Sequence, residues 1–423
     1  MHRTFCSFVF TFEHVYVLRW FTLLPFHYKV TTAPPGTQAA SLDIERAYHN
    51  SPIAPIHKPY LAISWQENIY VGHVAVEGLA TAGSIQGTPA DALIDIFQHH
   101  GIEHVFKWVD DVVIFRVPVS PSRSALPAFS FDLKMVFRIT APLGVPWHPI
   151  EKKGQDFASS VKYVRFLWDL DHRRVSLPDK KCIKLLAKID NFLALDSCTV
   201  SRRDCTSLHG SLQHITFIFR EGRSTLPPIS SFVLKFTNDF SWRHVPATVI
   251  DSVRWWNAVL LAPVGSRSLS PHRKVDPDVW VDASSSWGIG LVVGKHWAAW
   301  YLREGWKTGD RDIGWAESVA LELAVLWLVT QDFADCEVAI KGDNTGVIGA
   351  FNKGRLRNVS RNATIRRMAA SLVPLNITVL PVYVASAVNR ADPVSHGTLG
   401  PQEFRLGCSF KLPPELSQYL SYV

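Results

Sequence analysis

Phe106-Lys107-Trp108-Val109-Asp110-Asp111-Val112-Val113-Ile114-Phe115 sets two adjacent aspartates inside an otherwise apolar run. The pattern predicts two short strands meeting at an acidic turn. Neighbouring carboxylates repel, and anions in an apolar hairpin are costly unless cations pair with them. Divalent Mg²⁺ with oxygen ligands is the usual partner. A third carboxylate for such a site lies upstream in Leu42-Asp43-Ile44-Glu45-Arg46-Ala47-Tyr48, where Asp43 follows an expected loop and Ile44, Ala47 and Tyr48 open a compact apolar segment.

The whole chain bounds what these acids can belong to. Its 423 residues allow two or three domains, and 47% apolar against 19% charged residues is a globular composition with material for real cores. A net charge of +7 suits a polyanionic partner, because each phosphate neutralised releases counterions. Six scattered cysteines without a Cys-x-x-Cys pair read as reduced thiols of an intracellular protein, nuclear or cytoplasmic. Cys198, Cys205, His209 and His214 offer zinc-ligand chemistry, but Leu208, Leu212 and Ile215 fall at helical spacing among them, which favours a core helix. Phe5 to Phe26 is aromatic-rich, yet Glu13, His14 and Arg19 interrupt it, so neither a signal peptide nor a membrane span is expected. The sequons at Asn358, Asn362 and Asn376 then read as chance matches.

Asp43-x-x-x-Ala47-Tyr48 and Trp108-Val109-Asp110-Asp111 resemble the first and third palm motifs of reverse transcriptases. Between them, Gly78-Leu79-Ala80-Thr81-Ala82-Gly83-Ser84 stands where that family carries a glycine-containing motif that touches template and incoming nucleotide. Tyr163-Val164-Arg165-Phe166-Leu167-Trp168 resembles the primer-grip region, and Lys152 or Lys153 stands at the palm lysine. The flavour is that of fungal retroelements of the tyrosine-recombinase type. The resemblance implies an α+β polymerase palm over 30–170, with incomplete fingers, followed by a helical thumb and connection over 171–261. It also implies two Mg²⁺ ions, or Mn²⁺, on Asp43 and Asp110 with Asp111 in support. Tyr48 would exclude a ribose 2′ hydroxyl, and Gly78, Lys152 and Lys153 would contact substrate. Two departures stand out: only about forty residues precede Asp43, too few for the family's fingers, and Glu77 adds an anion beside Gly78. Residues 1–29 are therefore expected to be an atypical segment of a truncated element copy or a mispredicted first exon.

Farther along, Ala90 to His100 reads as helix, and Pro118-Val119-Ser120-Pro121-Ser122-Arg123-Ser124 as a loop. From Pro178 the pattern turns helical, with Ile183, Leu186, Ile189 and Leu193 on one face and Lys180, Lys181, Lys184 and Lys188 on the other. The Pro/Ser/Gly-rich Ala262–Pro271 reads as part of a linker over 262–275. Beyond it, Val279 to Ser284, Gly288 to Val293, Glu337 to Asn344 and Ile377 to Val384 read as strands, with a helix from Trp315 to Val329.

This order, with one acid on each of four elements, resembles ribonuclease H type 1. The resemblance implies an α/β domain with a mixed five-stranded sheet over 276–400, a tail over 401–423, and Asp282, Glu317, Asp343 and Asp392 as metal ligands. Glu322 shares the helix with Glu317, whose Glu-x-x-Ala pattern fits the family better. Hydrolysis of RNA with two Mg²⁺ ions about 3.5–4 Å apart needs carboxylates that hold both ions. The expected function is RNA-templated DNA synthesis with cleavage of RNA in RNA–DNA hybrids. The expected partners are an RNA template, a DNA primer, deoxynucleoside triphosphates and an element-encoded recombinase, with no membrane. Ribonuclease H activity alone, or a decayed nucleic-acid-binding remnant, are the competing readings.

Overall fold

The computed structural model describes residues 25–76, 81–119, 128–194, 199–261, 266–269, 273–408 and 410–423. Glu77, Gly78 and Cys198 lie outside the described residues. The chain divides into two units, 1–179 with 266–270, and 180–265 with 271–423. Among the described residues no helix is long and apolar enough to cross a membrane.

The first unit is built on β1 (Gln38–Asp43), α1 (Ala82–His99), β2 (Val105–Trp108), β3 (Asp111–Arg116), α2 (Leu133–Thr140) and β4 (Gln155–Ala158). Its antiparallel sheet runs β2-β3-β1-β4. Side chains alternate across a strand, so Ala40, Leu42, Val112 and Ile114 share one face. There they meet Leu93 and Phe97 of α1 and Leu133 and Val136 of α2. On the other face Phe115 packs with Phe26, which also touches Tyr163 and Trp168. The helix expected from Ala90 begins earlier, at Ala82, and carries Pro89 inside it. Buried Gln86 lies in these two added turns.

A second small sheet holds β5 (Ser160–Tyr163), β6 (Phe166–Asp169), β7 (Arg174–Ser176) and β8 (Ser266–Ser268), in the order β8-β7-β6-β5. The β5–β6 hairpin turns on Val164 at φ 47° and Arg165 at φ 70°, a left-handed pair that matches the twist of the two strands. Strand β8 falls inside the stretch expected as linker. Its Ser-Arg-Ser composition lacks any strand signature, and pairing with β7 supplies the order instead, with Arg174 Nε donating to Ser266 Oγ at 2.8 Å.

The second unit opens with α3 (Asp179–Leu193), α4 (Arg202–Ile215), α5 (Leu226–Val233) and α6 (Ala247–Leu261). The buried stripe of α3 is Leu185, Ile189 and Phe192, and Ile183 is 68% exposed. The apolar face is thus rotated from the one expected, because two overlapping helical registers fit the same sequence. In α4, Cys205, Leu208, Leu212 and Ile215 are buried together. Burial pushes the Cys205 thiol up to about 12, so it behaves as a small apolar side chain.

The rest of this unit comprises β9 (Arg273–Ala283), β10 (Gly288–Val293), β11 (His296–Leu302), α7 (Ile313–Val329), β12 (Cys336–Gly342), α8 (Thr345–Lys353), α9 (Val359–Leu372), β13 (Thr378–Tyr383), α10 (Asp392–Ser395) and β14 (Leu420–Tyr422). The sheet order is β13-β12-β9-β10-β11-β14, parallel at β9–β12 and β12–β13 and antiparallel elsewhere. It has six strands where five were expected. The sixth, β14, comes from the expected tail and covers the β11 edge, with the Tyr422 ring 5.5 Å from that of Trp300. Helix α7 is apolar nearly all round because it packs against both the sheet and α9.

Candidate metal centre

In β9, Val279, Val281 and Ala283 enter the core, and Asp282 points to the opposite face. Asp282 is still only 4% exposed, because the Ala391–Ser395 segment closes over it. Gly290, across from Asp282 on β10, permits this approach. A Cβ there would stand 2.6 Å from the Ala391 carbonyl oxygen and 2.8 Å from the Ser395 nitrogen. Ser395 Oγ donates to one Asp282 oxygen, and Asn389 Nδ2 donates to the other at 3.1 Å.

Helix α7 starts at Asp312, whose Oδ1 accepts from Trp315 N at 3.1 Å, and carries Glu317 in its second turn. Asp343 follows the end of β12, where Ser386 Oγ donates to it. The next residue, Asn344, caps α8 by accepting from Val347 N at 3.0 Å. One carboxylate oxygen from each of Asp282, Glu317 and Asp343 lies within 4.8 Å of the other two, so the three could hold a metal ion. A donor set of carboxylate oxygens without His or Cys suits Mg²⁺ or Mn²⁺.

The electrostatics point the same way. Burial pushes the Glu317 carboxyl up to about 8, with the Asp282 and Asp343 charges adding to it. Burial also raises Asp282, against the opposing Ser395 hydrogen bond. A divalent cation would relieve both groups. Asp392, at the start of α10, lies close enough for its charge to raise Asp282 further, but it is not one of the converging three. Its carboxylate is 3.9 Å from His396 Nε2, and His396 Nδ1 is 3.4 Å from Ser284 Oγ. Glu322 is turned elsewhere. It is fully buried, and Arg367 Nε and Nη2 donate to its two oxygens at 2.6 and 2.7 Å.

In the first unit, Asp43 and Asp111 are directly paired across β1 and β3, and Ile44 N donates to the Asp110 carbonyl at 2.9 Å. The β2–β3 turn places Val109 at φ 54°, a left-handed conformation that a β-branched side chain adopts only under constraint. Gln86 Nε2 donates to the Val109 carbonyl at 3.0 Å and supplies part of that constraint. Burial pushes Asp111 up to about 6, with Asp110 and Asp43 adding to the effect. Burial and then the Asp110 charge raise Asp43. Among the described residues these three acids do not converge as the other trio does. Asp43 Oδ1 instead faces His148 Nε2 at 3.3 Å and Lys153 Nζ at 3.4 Å. Lys152 is exposed on the same short helix as Lys153, and Tyr48 is part-buried in the turn after β1.

Sequence reasoning missed Asn389, Ser395, Gln86 and His148. Asn389 sat in plain view three residues before Asp392, whereas Gln86 and His148 act across the fold and left no local signal.

No protein-family profile matches the chain, and no curated protein matches it. Solved structures of a foamy viral protease-reverse transcriptase resemble it weakly. For the dRH form in complex with double-stranded DNA the TM-score is 0.41 at 14% identity, over 84% of this chain and 59% of that one. For the complex with RNA/DNA hybrid the values are 0.39 and 12%, over 88% and 68%. For a further double-stranded DNA complex they are 0.40 and 14%, over 84% and 70%. The chain thus spans 59% of the length of the first of these, and the functional reading rests on its own residues.

Proposed function

We propose that the second unit hydrolyses the RNA strand of RNA–DNA hybrids with divalent metal ions, as the ribonuclease H part of a retroelement protein. The convergence of Asp282, Glu317 and Asp343 within 4.8 Å, from a strand, a helix and a strand end, carries this reading. When bound, Mg²⁺ or Mn²⁺ would supply the positive charge that activates water and steadies the leaving 3′ oxygen. The chain contributes the frame. Asn389 and Ser395 hold both oxygens of Asp282, and Ser386 orients Asp343. Asp392 offers a fourth carboxylate at the margin, and the +7 charge favours a nucleic-acid substrate.

RNA-templated DNA synthesis is the second reading, favoured by the pairing of Asp43 with Asp111 beside the Val109 turn. In it Asp43 and Asp110 hold the ions with Asp111 in support, and Tyr48, Gly78, Lys152 and Lys153 contact substrate. Membership of the tyrosine-recombinase class is the finer proposal, and a recombinase reading frame adjoining this one is its test. The activities are separated by incubating the protein and Mg²⁺ with a labelled RNA–DNA hybrid bearing a recessed DNA 3′ end and deoxynucleotides. RNA cleavage is expected, and Asp282→Asn should abolish it. Extension lost in Asp110→Asn would support the second reading, and an absence of RNA cleavage by the wild-type chain would refute the first.

A further inference from the structure

Four residues before Asp282 the strand is irregular. The register of β9 against β12 shifts between Val275 and Val279, and Asp278 takes φ 57°. Its Oδ1 accepts from Trp280 Nε1 at 2.7 Å and from Lys341 Nζ at 2.9 Å, and its other oxygen accepts from Arg390. Arg390 also donates to the Gly294 carbonyl, and Gly294 N returns a bond to the Asp278 carbonyl at 3.0 Å. Lys341 reaches Asp276 at 3.3 Å, with its ammonium 4.9 Å from the centre of the Trp280 ring. The three side chains gathered on Asp278 share one property. Trp280, Lys341 and Arg390 each stand two residues before a candidate metal-site acid, respectively Asp282, Asp343 and Asp392.

We propose that Asp278 is a positioning residue for the candidate metal centre, one carboxylate tying β9, β12 and the Asn389–Asp392 segment together so that their acids are held at a set separation. The inference rests on the metal-dependent reading above. Stability alone accounts poorly for the arrangement. The Asp278–Arg390 pair is 35% and 46% exposed, and such pairs contribute little to folding, while Lys341, at 19%, is the better-buried arm. The left-handed Asp278 also interrupts the strand's ladder. The bulge instead aims one anion at the lead-in to each acid-bearing segment, the kind of outer support that governs metal affinity.

The test uses the full chain and Mn²⁺ as the probe, with affinity read by calorimetry, folding by the thermal midpoint without metal, and RNA cleavage against metal concentration. Asp278→Asn is expected to raise the Mn²⁺ half-saturation about tenfold, to leave the metal-free midpoint little changed, and to recover most of its cleavage rate at saturating metal. Arg390→Gln severs the arm to Asp392, together with the bond to the Gly294 carbonyl, and should show a smaller change of the same kind, which keeps the test open if Asp278→Asn does not fold. An unchanged half-saturation in a folded variant, with wild-type protein binding Mn²⁺, would overturn this inference alone. Failure of the wild-type protein to bind Mn²⁺ would overturn it together with the functional reading.

Discussion

Removing the charge of Glu317 should stabilise the metal-free protein, and the size of the effect follows from its surroundings. Burial beside Asp282 and Asp343 lifts its carboxyl from 4.5 to about 8. The unfolded chain loses this proton near the lower value and the folded chain near the higher one, so between them the native state binds more protons. Stability from this group is full below the unfolded pKa, falls as pH rises, and is gone above about 8. At pH 7 the loss reaches about 3 kcal/mol at most, since each unit of separation is worth roughly 1.4 kcal/mol. Glu317→Gln, measured in chelator by urea unfolding of the second unit, should therefore be more stable than wild type at neutral pH and indistinguishable near pH 4. Asp282, raised in the same direction, leaves part of the slope in place. Mn²⁺ should flatten the wild-type slope much more than that of the variant, which keeps only Asp282 and Asp343 of the three converging acids. A variant less stable than wild type at pH 7 without metal would refute the reasoning.

Three further outcomes are expected. Arg367→Met strands the buried Glu322 carboxylate and should cost about 3–5 kcal/mol in chemical denaturation, with much of it recovered in the double variant with Glu322→Leu. Gly290→Ala forces the Ala391–Ser395 segment off β10, so hybrid cleavage should fall steeply while circular dichroism holds its native shape, at a stability cost of about 1–3 kcal/mol. Val109→Gly relieves the left-handed turn and should not destabilise the first unit, whereas Gln86→Ala, which removes the bond to that turn, should cost about 1 kcal/mol by thermal unfolding.

The acids were legible because each stands at the edge of a strong apolar pattern, Asp282 within a strand signature and Asp343 just past one. Choosing between Glu317 and Glu322 needed more, since α7 is apolar on almost every side. The Glu-x-x-Ala pattern favoured the glutamate that meets Asp282 and Asp343. What occupies the other is Arg367, 45 positions away and invisible to any local window. The turn of α3 about its axis failed for a related reason, since Ile183 and Leu185 begin equally good helical stripes and only the opposing surface selects one. Strand β14 is three residues long, below the span at which alternation can register. Strand β8 reads as Ser-Arg-Ser, and its order comes wholly from its partner.

That pairing of β7 with β8 also sets a clock. Arg174 and Ser266 are 92 positions apart in the chain, and the helices α3 to α6 are synthesised in between. At translation speeds of about 5–20 residues per second, the small sheet waits roughly 5–20 s after β7 leaves the ribosome before its last strand exists. During that interval β7 is an open edge on a nascent chain, available to any strand that reaches it first. A single cut between α6 and β8 would make the wait permanent, because β7 would then lie on a fragment that never carries its partner strand.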